Sequence, residues 1–293
     1  MKIAVLTVFF EDNVENFLTR YLASVNQVAL ADTKFYLMDN SSEPRLKSYI
    51  KSNKIKVDKD KVTILEKHVN GFSPANEYLA RFVKRILEFK YFIFLNPDTE
   101  FTNDSIKKLV EFSKNKKNLF AVDGRQYPFE HPKDYDHISN ETSWCSGACM
   151  LVDVNRYFKV GGFDKSFFMY CEDVDLSWKG WASGWKCYYC PEAVFVHHCF
   201  GAEKSGLLRQ YWGIRNGVIM RFRYGTLTDV YKYFKIMGHL FIRSSFRFNI
   251  VESWNIFSAF IGGFFFGLLD LHKFNSKSDS YGKFYGVEYA RMM

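Results

Sequence analysis

The chain has 293 residues, 47% hydrophobic and 25% charged. That is ordinary globular usage: it excludes a disordered chain or a coiled coil and leaves core for one large domain or two modest ones. With 31 Phe, 18 Tyr and 6 Trp the chain is unusually aromatic, and nearly all of its +8 formal charge sits in residues 201–250, where Lys204, Arg209, Arg215, Arg221, Arg223, Lys232, Lys235, Arg243 and Arg247 face only Glu203 and Asp229.

The apolar run Lys2–Phe10 reads as a buried first strand. Glu11 and Asp12 follow it where a signal peptide would carry small residues. Val14–Ser24 reads as a helix, Lys34–Met38 as a strand ending at Asp39-Asn40-Ser41-Ser42, and Lys61–Lys67 as a third strand. Pro74 opens a helix to about Leu87. Tyr91–Leu95 is a short strand ending at Asn96-Pro97-Asp98, and Leu119–Val122 is another. This rhythm predicts an α/β fold: a mostly parallel, Rossmann-like sheet with helices on both faces, and ligands outside the carboxyl ends of its strands. Pro128–Thr142 reads as a loop over the site. Cys187 and Cys190 fit a strand with core-facing sulfurs, and six cysteines in so long a chain suit a reducing cytoplasm.

Beyond Gly201 the chain turns basic and aromatic, so the sequence divides into 1–205 and a helical segment, 206–293. Trp254–Leu269 is uncharged but shorter than the roughly 20 residues of a spanning helix. It reads as an interfacial helix, with a core helix or a true span as alternatives. Basic residues interleaved with rings suit an anionic membrane surface, or a second copy of the chain in a homo-oligomer.

Polar residues after strands carry the candidate chemistry. Asp39 is placed to grip a nucleotide or merely to cap a turn. Asp98, in Asn96-Pro97-Asp98 after an apolar strand, is placed to hold a divalent ion against a diphosphate or merely belongs to an Asn-Pro turn. Glu172, Asp173 and Asp175 open a helix between apolar neighbours, where carboxylates do acid–base work and the helix N-terminus keeps them ionised. His197 and His198 end another strand-like run.

In order along the chain, Trp144-x-x-Gly147, Gly161-Gly162-Phe163-Asp164-x-x-Phe167-Phe168-Met169-Tyr170-x-Glu172-Asp173-x-Asp175-Leu176, Gly184, Pro191 and His197 form a pattern. It resembles the family 2 inverting glycosyltransferases, most of all the branch with bacterial rhamnosyl- and galactofuranosyltransferases of surface polysaccharide assembly. The resemblance covers roughly residues 3 to 220. It implies a GT-A fold, a nucleotide-sugar donor and a divalent metal, magnesium or manganese. It places nucleotide contacts at Asp39 and around Thr7, and donor contacts at Asn96 and Gly147. It places metal ligands at Asp98 and His197, with His198 as the fallback. The Glu-Asp pair falls on Glu172 and Asp173, with Asp173 as the base that deprotonates the acceptor. The donor-contacting Asn of the family falls on Asn76 only with a one-residue shift.

The donor implied is dTDP-L-rhamnose, with UDP-galactofuranose, UDP-galactose or UDP-N-acetylhexosamine as alternatives. The basic, aromatic C-terminal segment points to a glycan or lipid-linked glycan as acceptor, met at the inner face of the plasma membrane by a cytoplasmic, peripheral enzyme. Three rival classes have less support. A nucleotidyltransferase wants glycines after the first strand, where this chain has Thr7-Val8-Phe9-Phe10. A nucleic-acid binder leaves the acid cluster unexplained. An inactive transferase-like subunit is at odds with a full set of acids.

Overall fold

In the first strand, β1 (Ile3–Phe9), every residue is buried. Ile3, Val5 and Phe9 enter one core, and Ala4, Leu6 and Val8 enter another on the opposite face. A strand covered on both faces needs a continuous apolar run, which is what this sequence supplies. The computed structural model describes residues 2–28, 32–102, 104–130, 134–198 and 206–270.

From β1 the chain runs through α1 (Val14–Gln27), β2 (Thr33–Asp39), α2 (Leu46–Ser52), β3 (Val62–Glu66), α3 (Phe72–Ile86) and β4 (Tyr91–Leu95). The Asn13 side chain caps α1 by accepting from the Asn16 N–H. Helix α3 starts at Phe72, two residues before Pro74, because the Phe72 and Ser73 N–H groups are satisfied outside the helix by the Phe168 carbonyl. There follow β5 (Thr99–Phe101), α4 (Ser105–Lys114), β6 (Leu119–Tyr127), β7 (Glu141–Thr142), β8 (Cys149–Asp153), α5 (Val154–Lys159), α6 (Glu172–Ala182) and β9 (Lys186–His197).

The strand order is β3-β2-β1-β4-β8-β6-β9-β5, with β7 also on β9. The α/β fold forms as expected. β3-β2-β1-β4 and the β6–β9 pair are parallel, while β8 pairs antiparallel with β4 and β6, and β5 and β7 pair antiparallel with β9. Cys187 and Cys190 are buried thiols of β9.

The chain divides into two units. The sheet unit runs through Phe168 and resumes at Glu172. The second unit takes the tripeptide Met169–Cys171 together with α7 (Gly206–Tyr224), α8 (Leu227–Phe246) and α9 (Ile250–Asp270). The expected boundary at residue 205, and Lys204 with it, lies outside the described residues. The second unit has its own core of Ile214, Val218, Tyr233, Met237, Ile256 and Ala259. The uncharged run is longer as a helix than as a sequence feature: α9 spans 21 residues.

Candidate active site

Helix α6 begins at Glu172, as the three clustered acids imply. The Asp173 carboxylate is held by two backbone donors, Val174 N–H on Oδ1 and Gly147 N–H on Oδ2, each at 2.9 Å. The loop before β8 is built around that contact. Its four successive N–H groups all go to side-chain oxygens: Cys145 to Ser177 Oγ, Ser146 to Asp123 Oδ2, Gly147 to Asp173 Oδ2 and Ala148 to Ser146 Oγ. The Gly147 N–H, expected to lie at the donor, here bonds the Asp173 carboxylate.

Glu172 differs from its neighbour. It is buried, and its Oε2 has no hydrogen-bond partner. Burial first, then the charges of Asp173 and Asp175, push its carboxyl well above the ordinary range, which favours the neutral form. Asp175 is fully buried and pairs with Lys179 at 3.0 Å, and Lys179 also donates to the Gly162 carbonyl.

The antiparallel β5–β9 register sets Thr99 opposite His197. Asp98 and His197, remote in sequence, thereby meet: Asp98 Oδ1 lies 3.3 Å from His197 Nε2. The other ring nitrogen, Nδ1, is 2.9 Å from Gln126 Oε1 on β6. With Nδ1–H donating to Gln126, Nε2 and Asp98 Oδ1 face each other as two acceptors, which a cation between them or a proton on Nε2 satisfies. Asp98 Oδ1 is buried and has no hydrogen-bond donor, so the pair fits a divalent cation. Among the described residues no group of three or more His, Cys, Asp or Glu side chains gathers around one point. Two protein ligands suit a cation whose shell is completed by phosphate oxygens. His198 turns to Glu100, at 2.8 Å, and takes no part in this pair.

The Asp98–His197 pair and Asp173 lie along one strand-end path. Leu95 pairs with Cys149 across β4 and β8, and the Asn96 N–H donates to the Ala148 carbonyl at 3.0 Å. Asp98 is two residues from Asn96, and Ala148 adjoins the glycine that holds Asp173.

Three residues expected to contact the donor are buried. Asp39 is fully buried, and its carboxylate accepts from the Ser41, Arg45 and Leu46 N–H groups. It caps the turn after β2, the alternative left open by the sequence. Thr7 is fully buried within β1, beside the Tyr21 phenol rather than at the strand's open end. Asn76 is buried in α3, where its amide donates to the Phe72 carbonyl.

Other polar residues took these places. Glu11, after β1, accepts from the Ser42 hydroxyl at 2.6 Å, and its own N–H donates to Ser41 Oγ, which ties the first two strand ends together. Glu77, next to Asn76, is fully buried; it accepts from the Tyr157 hydroxyl and the Phe163 N–H. Desolvation raises its pKa. This carboxylate explains Gly161-Gly162-Phe163: Gly162 has φ 73°, and a Cβ there would lie 2.2 Å from Glu77 Oε2. Asp123 and Gln126 leave no sequence signal, because a lone polar residue in a strand carries no motif.

A sheet of this order, with a carboxylate–imidazole pair at one strand end and a backbone-anchored carboxylate beside it, defines a GT-A-type nucleotide-sugar transferase. The family model described as glycosyl transferase family 2 matches residues 4–177, and the chain belongs to that family. It is similar to the rhamnosyltransferase WbbL of Escherichia coli (strain K12), 25% identical over 181 residues, covering 50% of this chain and 69% of that protein. A 55-residue stretch is 47% identical to the N-acetylglucosaminyl-diphospho-decaprenol L-rhamnosyltransferase of Mycobacterium tuberculosis, covering 19% of this chain and 18% of that one. Among solved structures, a mannosyltransferase from Pyrobaculum calidifontis in complex with GDP-Man and Mn2+ superposes with TM-score 0.60 at 13% identity, covering 99% of this chain and 82% of that one. GalNAc-T7 with UDP, GalNAc and Mn2+ superposes with TM-score 0.56 at 13% identity, covering 79% of this chain and 54% of that one. At such identity these two show the GT-A fold alone.

Proposed function

We propose that this glycosyltransferase is a metal-dependent, inverting hexosyltransferase that moves L-rhamnose from dTDP-L-rhamnose to a glycan or lipid-linked acceptor of cell-surface polysaccharide synthesis. The observation that carries the reading is the shared strand-end path, which joins the Asp98–His197 pair to Asp173 through Asn96, Ala148 and Gly147.

Asp173 takes the proton of the acceptor hydroxyl. The acceptor oxygen then bonds to the anomeric carbon as the bond from that carbon to the diphosphate breaks, and the electron pair leaves with the diphosphate. One displacement inverts the centre and needs no covalent nucleophile. Glu172, which favours its neutral form, leaves the base role to Asp173 and shapes its surroundings. Asp98 and His197 hold the divalent cation. When bound, it offsets the negative charge that develops on the leaving diphosphate. An imidazole ligand favours manganese over magnesium. The loops after β1 and β2, tied by Glu11 and Ser42, receive the nucleotide, with Asp39 as their buried frame. The Mn2+ complexes of the two structural neighbours, and the rhamnosyl transfer named for the two relatives, support metal and sugar respectively.

The helical unit is proposed as a peripheral anchor on an anionic, cytoplasm-facing membrane. Phe246 is 81% exposed, Phe248 90%, Ile250 81% and Trp254 66%, around the turn between α8 and α9. Lys232, Lys235, Arg243 and Arg247 are exposed near them in sequence. Arg223 and Arg215, by contrast, are buried, and Arg221 stacks on Tyr233 at 3.7 Å, so these three are not part of the basic face. By length and composition α9 also suits a crossing. Its packing on the arginine-bearing α7 favours a helix lying in the interface.

The deciding experiment incubates the purified chain with Mn2+ and each of the four candidate nucleotide-sugars plus a lipid-linked acceptor, and reads products by mass spectrometry. Product with dTDP-L-rhamnose alone, abolished by EDTA, is expected. Asp98→Ala should weaken Mn2+-dependent nucleoside-diphosphate binding at least about tenfold. Transfer unchanged in EDTA removes Asp98 and His197 from metal binding, and product with another donor alone replaces the rhamnosyl reading.

A further inference from the structure

Two adjacent non-glycine residues, Tyr170 (φ 67°) and Cys171 (φ 69°), stand in the left-handed region directly before Glu172 and Asp173. There each Cβ crowds the following carbonyl oxygen. Such a pair persists only where its surroundings over-determine it. On the upstream side, the Phe168 carbonyl accepts from the Phe72 N–H at 2.7 Å and the Ser73 N–H at 3.3 Å. The next two carbonyls, of Met169 and Tyr170, both accept from one amide: Asn216 Nδ2 donates to each at 2.8 Å.

Asn216 is fully buried in α7. Its Oδ1 accepts from Arg215 Nη1 at 2.7 Å. That bond settles which end of the amide faces the carbonyls, because a guanidinium donates and never accepts. The guanidinium itself lies over the Trp212 ring at 5.2 Å and the Phe266 ring at 4.3 Å, and Arg215 is buried. A charged group at such a site would be costly without partners, and here it orients a neighbouring side chain.

We propose that Asn216 is a positioning residue for the transfer reaction: by holding the Met169 and Tyr170 carbonyls it keeps the left-handed Tyr170–Cys171 turn that delivers Asp173 to the Gly147 N–H. The role of Asp173 as base rests on the function proposed above; the holding of the turn does not. Asn216 touches no reacting atom. Its effect is on where α6 starts, and a small displacement of a base suffices to cost about 10² in rate.

The test compares the wild-type full chain with Asn216→Asp, which keeps the acceptor for Arg215 and loses both donors, and with the shorter, neutral Asn216→Ser. Hydrogen–deuterium exchange is followed in peptides spanning 145–148 and 169–176 and in the strands β1 and β4. Turnover with the active donor, its KM, and Mn2+-dependent binding of nucleoside diphosphate are measured alongside. Exchange should rise in the first two peptides and stay unchanged in β1 and β4. The kcat should fall about 10- to 100-fold, with donor KM and nucleotide binding within about twofold of wild type. Should the aspartate variant not fold, the serine variant carries the same expectation. Unchanged exchange in 169–176 overturns the proposal, and so does a rise throughout the sheet with nucleotide binding lost in step. If the wild type turns over none of the candidate donors, the proposed function fails on its own, and the exchange pattern still decides whether Asn216 holds the turn.

Discussion

Asp173 and Glu172 are adjacent carboxylates in different surroundings. Asp173 accepts two backbone N–H bonds, and hydrogen bonds to a charged group contribute about 1.5–3 kcal/mol each. Glu172 is buried with one oxygen unpartnered. Asp173→Asn keeps the shape and removes the proton acceptor, so transfer should fall about 10²- to 10⁴-fold while nucleotide binding holds. Steady-state rates beside a nucleotide titration check this, and full activity removes Asp173 from the mechanism. Glu172 supplies a separate, pH-dependent prediction. The folded protein keeps its proton above the pH at which the unfolded chain releases it, near 4.3 for an ordinary Glu. The folded state then binds more protons, and stability falls as pH rises through that window. Glu172→Gln should therefore raise Tm relative to wild type at pH 8, with the gain shrinking toward pH 4. A gain that is equal at both pH values means that the Glu172 proton does not carry it.

Among the elements, β9 organises the sheet unit and α9 the helical one. Strand β9 pairs with β5, β6 and β7, which is how His197 receives Asp98 from one neighbour and Gln126 from another. Helix α9 approaches α7 closely because Gly263 has no side chain: a Cβ there would lie 2.5 Å from the Arg215 carbonyl oxygen and 2.8 Å from Val218 Cβ. Backbone cannot yield as a side chain does, so Gly263→Ala should cost about 1–3 kcal/mol. Gly238 in α8 is exposed, and a Cβ there meets nothing within 4 Å. Gly238→Ala should instead stabilise by roughly 0.5–1 kcal/mol, since it removes the backbone entropy of a helical glycine. Denaturant midpoints at constant m-value measure both. Equal stability of the two variants would show that the α7–α9 approach is not close.

At the scale of the whole molecule, most of the net positive charge and most of the exposed rings fall in the same unit. Each basic side chain near an anionic surface is worth about 1 kcal/mol. On the membrane reading proposed above, four exposed ones would set binding, with the rings entering beside them. Changing Lys232, Lys235, Arg243 and Arg247 together to Gln should move the protein from pellet to supernatant in sedimentation with anionic liposomes at low salt. High salt should weaken wild-type binding in the same direction, through screening. Phe248→Ser with Trp254→Ser should reduce the part that salt leaves. A wild-type chain that stays in the supernatant with anionic liposomes at low salt leaves these helices as a contact between copies, and light scattering then reads the oligomeric state.

Most of the α/β rhythm was legible in the sequence. Buried strands such as Ile3–Phe9 and Tyr91–Leu95 must be apolar on both faces, and helix starts such as Asn13 and Glu172 must offer acceptors to open N–H groups. The motif from Gly161 to Leu176 was legible for the same reason: a left-handed glycine and a helix-opening acid pair leave local marks. Strand direction left none. The antiparallel pairing of β5 with β9, which brings Asp98 to His197, depends on the chain's path through three dimensions. Burial likewise decided what Asp39, Thr7 and Asn76 do, because a polar residue near a strand end or helix start reads the same whether it faces a ligand or a backbone N–H. Gln126 behind His197, Glu77 behind Gly162 and Asn216 behind Tyr170 are single side chains remote in sequence from what they hold. Nothing local marks them, since their role lies in a distance, and distances between remote residues exist only once the chain has folded.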